Sequence, residues 1–195
     1  MMNKLSIQDI PLSGKNVLMR VDFNVPLTEE GLVADDTRIV GALTSIQYAI
    51  NQGAKLTLMS HMGRPEGKKD PKLSLAPIAK RLAELLDCKV IMASDCIGPE
   101  VEKLHTSLAP KEILLLENLR FYEAEENPSS DPLFATKLAK FGDILVNDAF
   151  GTAHRKHSST YEIAKLFPSK AAAGFLMDKE IAFLGNVFEQ PKRPF

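Results

Sequence analysis

At 195 residues with 45% hydrophobic side chains, the chain has enough apolar surface for one substantial α/β domain or two small ones. Its 24 Lys and Arg against 25 Asp and Glu leave a formal charge of −1, which argues against a general nucleic-acid or membrane-surface binder and makes any anion site local. The two cysteines, Cys88 and Cys96, have seven residues between them and no flanking C-x-x-C or histidine pattern, so they read as small buried hydrophobes rather than a disulfide framework or a zinc site.

The first residues, MMNKLSIQDIPLSGK, contain no apolar segment of signal-peptide length, and no later run approaches the ~20 residues of a membrane span. The expected setting is the cytoplasm, with neither membrane nor nucleic acid as partner. The first strand is NVLMRV. It runs into DFNVP, where Pro26 has no N–H for a sheet ladder, so Arg20, Asp22 and Asn24 are expected at the strand's carboxyl end. DDTRIVGALTSIQYAINQG predicts a helix with Ile39, Leu43, Ile46 and Ile50 on one face and Gly53 as its stop. KLTLMS (55 to 60) is the second strand, and LAPIAKRLAELLD (75 to 87) a helix burying Ile78, Leu82 and Leu85.

CKVIMA (88 to 93), EILLLEN (112 to 118) and DILVND (143 to 148) are further strands, KAAAGF a sixth, with helices at 98 to 108 and 131 to 141. Nearly apolar strands alternating with helices predict an α/β fold: a three-layer αβα sandwich around a parallel, about six-stranded, Rossmann-like sheet. The long polar loops, HMGRPEGKKDPK and RFYEAEENPSSD, both come directly after strands. At the carboxyl end, Met177, Ile181, Leu184 and Phe188 share a helical face while Phe183 and Phe195 lie off it.

The arginines are distributed unevenly. Of the seven, Arg20, Arg38, Arg64, Arg120 and Arg155 fall at or after the carboxyl end of a strand, whereas Arg81 and Arg193 do not. Few of the 17 lysines, Lys68, Lys69 and Lys156 among them, share those segments. A guanidinium fork fits two oxygens of a carboxylate or phosphate, while lysine is a hydrated point charge, so the segregation points to an oxyanion ligand. Loops leaving parallel strands converge on one edge of the sheet, which lets residues distant in sequence surround one crevice. The competing reading is of ordinary surface arginines paired with nearby acids.

Arg38 lies in the first turn of its helix, where the macrodipole disfavours a cation by about 0.3 to 1 kcal/mol. Asp35 and Asp36 offset part of this, and an anion docking at the helix start explains the rest. Asp22 can only accept hydrogen bonds, so it either holds a neighbouring arginine or receives a ligand hydroxyl. Asn24 either joins it or caps a turn before Pro26. His61 is a donor candidate or a loop cap, and Gly63 and Gly151 allow close backbone approach. His154 and His157 have no visible third ligand for a metal. No G-x-x-x-x-G-K-[ST] loop, no G-x-G-x-x-G and no magnesium-type acid cluster is present.

RVDFNVPL (20 to 27), DDTRI (35 to 39), SHMGRP (60 to 65), LLLENLRF (114 to 121) and VNDAFGTAHRKHSS (146 to 159) together resemble the phosphoglycerate kinase family, specifically its amino-terminal domain. Met62 stands where the family's common motif has leucine. The resemblance implies that Asp22, Asn24, Arg38, His61, Arg64, Arg120 and Arg155 bind 3-phosphoglycerate, with Arg20 and Gly151 close by, and that the substrate-binding set also takes in Arg20, Phe23, Met62, Gly63 and Gly151. It implies reversible transfer of the ATP γ-phosphoryl group to the 3-phosphoglycerate carboxylate, giving 1,3-bisphosphoglycerate and ADP in glycolysis. Arg38 is then the catalytic candidate for the transition-state charge.

The same resemblance places Mg-ATP or ADP on a second, carboxyl-terminal domain whose glycine-rich loop, lysine and magnesium-binding acid are not among these residues. Residues 1–177 are expected to form the 3-phosphoglycerate domain. Residues 178–195 would be an interdomain linker helix, about which the domains close, and the start of the nucleotide domain. The chain is expected to be a fragment, inactive alone, of an enzyme that is monomeric when complete. The rival from another class is a non-catalytic anion-binding or interaction module.

Overall fold

A computed structural model of the chain describes residues 5–189, and side chains through residue 184. Six strands form one sheet: β1 Asn16–Arg20, β2 Lys55–Met59, β3 Val90–Met92, β4 Ile113–Leu115, β5 Ile144–Asn147 and β6 Ala171–Ala173, in the order β3-β4-β2-β1-β5-β6. Every pairing is parallel, and Leu18 of β1 stands opposite Thr57 on one side and Leu145 on the other. The fold is therefore the α/β sandwich expected from strands without a polar face.

The period of two along each strand divides the core into two layers. Val17, Met19, Leu56, Leu58, Ile113, Leu115, Ile144 and Val146 face one way. They meet Ile39, Ala42, Ile46 and Ala49 of helix α1 (Thr37–Asn51) and Ile78, Ala79 and Leu82 of α2 (Ala76–Leu86). Leu18, Leu114 and Leu145 face the other way, against Val101 of α3 (Pro99–Ser107) and Phe134, Ala135 and Leu138 of α5 (Phe134–Ala139); the short helix α4 (Glu123–Glu126) lies between these two in the chain. Each fully buried Ile or Leu contributes about 1.5–3 kcal/mol, and truncating one such as Ile46 to Ala costs about 2–5 kcal/mol. Cys88 packs against the first layer and Cys96 lies in the second, both as free thiols.

Local chemistry sets the helix ends. Asp35 accepts from the Thr37 N–H at 2.8 Å and its hydroxyl at 2.6 Å, closing the start of α1. Asp36 places its carboxylate 2.8 Å from Arg81 of α2, tying the two helices together. Strand β4 is shorter than its apolar run suggests because Glu117 and Asn118 leave the ladder. Glu117 then accepts from the Leu75 N–H at 2.9 Å and the Ser74 hydroxyl at 2.7 Å, capping α2.

The last helix, α6 (Phe175–Glu189), begins three residues before the expected 178. Its first N–H groups find acceptors: Phe175 N donates to Ser45 Oγ at 2.9 Å and Met177 N to Asp148 Oδ1 at 3.1 Å. Phe175 also meets Tyr48 of α1 edge-on, with ring centroids 5.2 Å apart, which seats α6 on the α1 side of the sheet. Met177 is buried, Ile181 half-buried and Phe183 65% exposed. The Phe188 side chain and Phe195 lie outside the described residues.

Candidate anion-binding site

The segments leaving β1, β2, β4 and β5, four neighbouring strands of the sheet, meet at its carboxyl edge with the start of α1. Between β1 and β5 the connections diverge, β1 leading to β2 on one side and β5 to β6 on the other, and a parallel sheet opens its crevice at such a point. The crevice encloses about 300 Å³ and is lined by Asp22, Asn24, Arg38, His61, Gly63, Arg64, Arg120, Gly151, Thr152 and Arg155. Four guanidinium groups therefore face one carboxylate. A larger cleft of about 850 Å³ lies between residues 31–36 and α2, but its one arginine, Arg81, is already held by Asp36 and Glu84.

Cross-ties between the loops hold the crevice in shape. Asn24 Oδ1 accepts from the Gly63 N–H at 2.9 Å, and Arg120 Nη1 donates to the Gly63 carbonyl at 2.8 Å. Asn118 accepts from the N–H groups of Met62 and Arg120, each at 3.1 Å, and donates to the Met62 and Leu73 carbonyls. Gly63 has φ +61°, where a side chain is strained. At Gly151 a Cβ would stand 3.0 Å from Asp22 Oδ2, so glycine lets the loop after β5 approach that after β1.

Asp22 ion-pairs through Oδ2 with Arg38, and its Oδ1 accepts from Asn24 N at 3.2 Å. Of the two readings open for Asp22, the arginine-holding one is thus present in the fold. Arg38 keeps 54% of its side chain exposed, against 11% for Asp22. Arg120 is buried, pairs with Glu126 at 3.1 Å, and its buried Nε has no partner. Burial lowers its pKa, with Glu126 opposing the shift. Arg64 and Arg155 are exposed on the crevice wall.

His61 is 4% exposed, and its pKa is lowered from 6.5 to about 2, first by burial and then by Arg20, Arg120, His157 and Arg38. It is a neutral imidazole throughout the physiological range.

Three of the expected site residues do not line the crevice. Phe23 and Met62 alternate with Asp22, Asn24, His61 and Gly63, so their side chains turn inward and are 0% and 3% exposed in the core. Arg20, 1% exposed, lies beneath the crevice and contacts His61 instead of the opening. Thr152 lines the crevice and was not expected; its place between Gly151 and Arg155 was the available signal. His154 is exposed and His157 buried. Among the described residues no three His, Cys, Asp or Glu side chains converge as a metal site, and no helix is long and apolar enough to cross a membrane.

Comparison with known proteins adds to this geometry. A family model described as phosphoglycerate kinase matches residues 7–195. Phosphoglycerate kinases of Chlorobium limicola and Chlorobaculum tepidum are each 54% identical over 194 residues, covering 100% of this chain and 48% of the relative. The chain thus spans about half the length of the curated relatives it matches. Among solved structures, phosphoglycerate kinase from Coxiella burnetii superposes with a TM-score of 0.81 at 36% identity, over 98% of this chain and 46% of the other. That from Pyrococcus horikoshii gives 0.83 at 34%, over 97% and 47%.

Proposed function

We infer function from one premise: the chain belongs to the phosphoglycerate kinase family. It forms the acceptor half of the enzyme, holding 3-phosphoglycerate in the crevice at the carboxyl edge of the sheet. The observation that carries this is the convergence of Arg38, Arg64, Arg120 and Arg155 with neutral His61 around a single carboxylate, Asp22. The proposed ligand has a phosphate and a carboxylate for the guanidinium forks and a hydroxyl that an aspartate can receive. A small crevice of about 300 Å³ suits a three-carbon metabolite better than a polymer.

Arg38 is the catalytic candidate. Asp22 holds it at the crevice, and its exposed fork retains donors for a reacting group. Arg64 and Arg155, exposed on the wall, supply attraction and orientation, while the ties to Gly63 keep the loops from collapsing when the anion leaves. Arg20, Phe23 and Met62 support the site from below. Family membership implies Mg-ATP, but the residues present do not fit it: the crevice has one carboxylate, already paired, and no cluster of metal ligands is found among the described residues. We assign Mg-ATP or ADP, and the phosphoryl donor, to the part of the longer relatives that this chain does not span.

In that longer enzyme α6 is the connection to the nucleotide-binding domain, closure about it brings the substrates together, and exposed Phe183 belongs to a face the second domain covers. The enzyme works as a monomer in glycolysis, in the cytoplasm, and the chain alone turns over no ATP. The test is a titration of the chain with 3-phosphoglycerate, inorganic phosphate and a short oligonucleotide, followed by amide shifts and paired with a coupled ATP-consumption assay. Preference for 3-phosphoglycerate, with shifts near residues 22, 38, 61, 120 and 155, is expected. Equal binding of phosphate would favour a general anion module, and preference for the oligonucleotide with a steep salt dependence would overturn the reading.

A further inference from the structure

We propose that Arg20 is a positioning residue: anchored from behind by Ser159 and Glu125, it holds His61 as a neutral imidazole with its proton on Nε2, so the crevice meets its ligand with an uncharged donor. The identity of that ligand rests on the acceptor-binding reading above; the state of the ring does not.

A guanidinium group has donors only, and Arg20 Nη2 stands 3.0 Å from His61 Nδ1. Such a contact requires a bare lone pair on Nδ1, so the ring proton of neutral His61 sits on Nε2. A second proton would set N–H against N–H beside a buried cation. Charged and titratable groups from four segments act on His61 in the same direction. Arg20 comes from β1, Arg38 from α1, Arg120 from the segment after β4 and His157 from that after β5. Asp22, the crevice carboxylate, is engaged by Arg38.

Arg20 is held in turn. Its Nη1 donates to the Val21 carbonyl and its Nε to Ser159 Oγ at 3.0 Å. The Ser159 hydroxyl donates to Glu125 Oε1 at 2.5 Å, and its N–H to Oε2 at 3.1 Å. Glu125 belongs to α4, and Ser159 to a π-helical turn, Ser158–Glu162. Glu125 and Ser159 are buried, at 0% and 1% exposure. Burial of the cation and the carboxylate each opposes ionisation, and each charge draws the other back. A buried arginine kept this way costs desolvation free energy without touching the crevice, which a purely structural role could meet with an apolar side chain.

The consequence concerns pH. An ordinary histidine titrates near 6.5 and would make anion affinity change across the physiological range; a fixed neutral donor does not. The test uses the chain with 15N-labelled histidine and long-range proton–nitrogen spectra from pH 5 to 9. His61 is expected to show the Nε2–H tautomer throughout, without titrating. Ser159→Ala removes the anchor. Nδ1–H tautomer should then become visible for His61, and 3-phosphoglycerate affinity should fall about tenfold, the size of one hydrogen bond to a charged group. Ser159→Thr, which keeps the hydroxyl, should restore both.

Titration of His61 between pH 5 and 8 in the unaltered chain, or an Nδ1–H tautomer there, would overturn the proposal even if Ser159→Ala failed to fold. A folded Ser159→Ala with an unchanged His61 spectrum would also overturn it. The expected tautomer in a chain that ignores 3-phosphoglycerate would sink the acceptor-binding reading and leave the positioning role standing.

Discussion

Replacing Arg38 by Ala tests the crevice at the cation that Asp22 holds. The substitution removes a guanidinium group that is 54% exposed and leaves Asp22, 11% exposed, without its ion pair. Two losses result. The charge-assisted hydrogen bonds to the ligand are worth about 1.5–3 kcal/mol, and the freed Asp22 carboxylate then faces the bound anion instead of a cation. Because every 1.4 kcal/mol is tenfold, affinity for 3-phosphoglycerate should fall by roughly 10- to 150-fold from the first loss alone. Folding should change little, since an ion pair with one partner this exposed is screened and contributes at most about 1 kcal/mol. A double-mutant cycle with Asp22→Asn, read by calorimetry, isolates the second loss. Arg38→Ala should cost distinctly less in the Asp22→Asn background, where no bare carboxylate remains. A loss below threefold in the single variant, or equal costs in both backgrounds, would refute the reasoning.

Other outcomes depend on particular contacts. A Cβ at Gly174 would clash with the Asp148 carboxylate, so Gly174→Ala should destabilise the chain by about 1–3 kcal/mol in urea melts and loosen the start of α6; an unchanged midpoint would show that the approach is not needed. Asp148 is fully buried, with Oδ2 lacking a partner, and burial raises its pKa despite hydrogen bonds from Ser45 and the N–H groups of Met177 and Leu176. A raised folded pKa means stability is complete below the unfolded value near 3.8 and falls as pH rises through the folded one. The stability of Asp148→Asn relative to the unaltered chain should therefore improve from pH 4 to 8, and a constant difference would exclude this. Finally, 3-phosphoglycerate should bind more weakly as salt rises. Arg64→Ala and Arg155→Ala should each flatten that dependence, because both groups are exposed to screening; slopes identical to the unaltered chain's would remove them from the site.

The fold was legible because its signals are local. Apolar runs marked all six strands, and the periodicity of Ile39, Ile46, Ile78 and Leu82 marked the helices that cover them. The strand ends were less legible, since Glu117 and Asn118 leave the ladder to satisfy groups at Leu75 and Met62 that lie 42 and 56 residues away. The crevice was largely legible too: parallel topology gathers the loops at the carboxyl ends of the strands, whatever their distance in the chain. Arg20 was the exception. Its preferred partners, Ser159 and Glu125, come from segments 139 and more than a hundred residues later, and Glu125 was hidden in EAEE, which reads as a solvated acidic stretch. For Phe23 and Met62 the signal existed. Each sits between two crevice residues, and alternation alone turns it toward the core.

The same cross-ties explain how four guanidinium groups can share a small crevice above a fifth, Arg20. Arg120 is held by Gly63 and Glu126, Arg38 by Asp22, and Arg20 by Ser159 with Glu125 behind it, so part of the repulsion is met by hydrogen bonds and carboxylates outside the opening. Arg64 and Arg155 project where water can solvate them. Ordering the tied forks in advance spares a ligand the entropy of immobilising long side chains, about 0.5–1.5 kcal/mol for each. The exposed pair keeps that cost but steers an approaching anion. Affinity should accordingly reside in Arg120 and Arg38, and the association rate in Arg64 and Arg155. Stopped-flow binding should show a slower on-rate for Arg64→Ala and Arg155→Ala and a faster off-rate for Arg120→Ala, and the opposite assignment would mean that the buried ties do not preorganise the crevice.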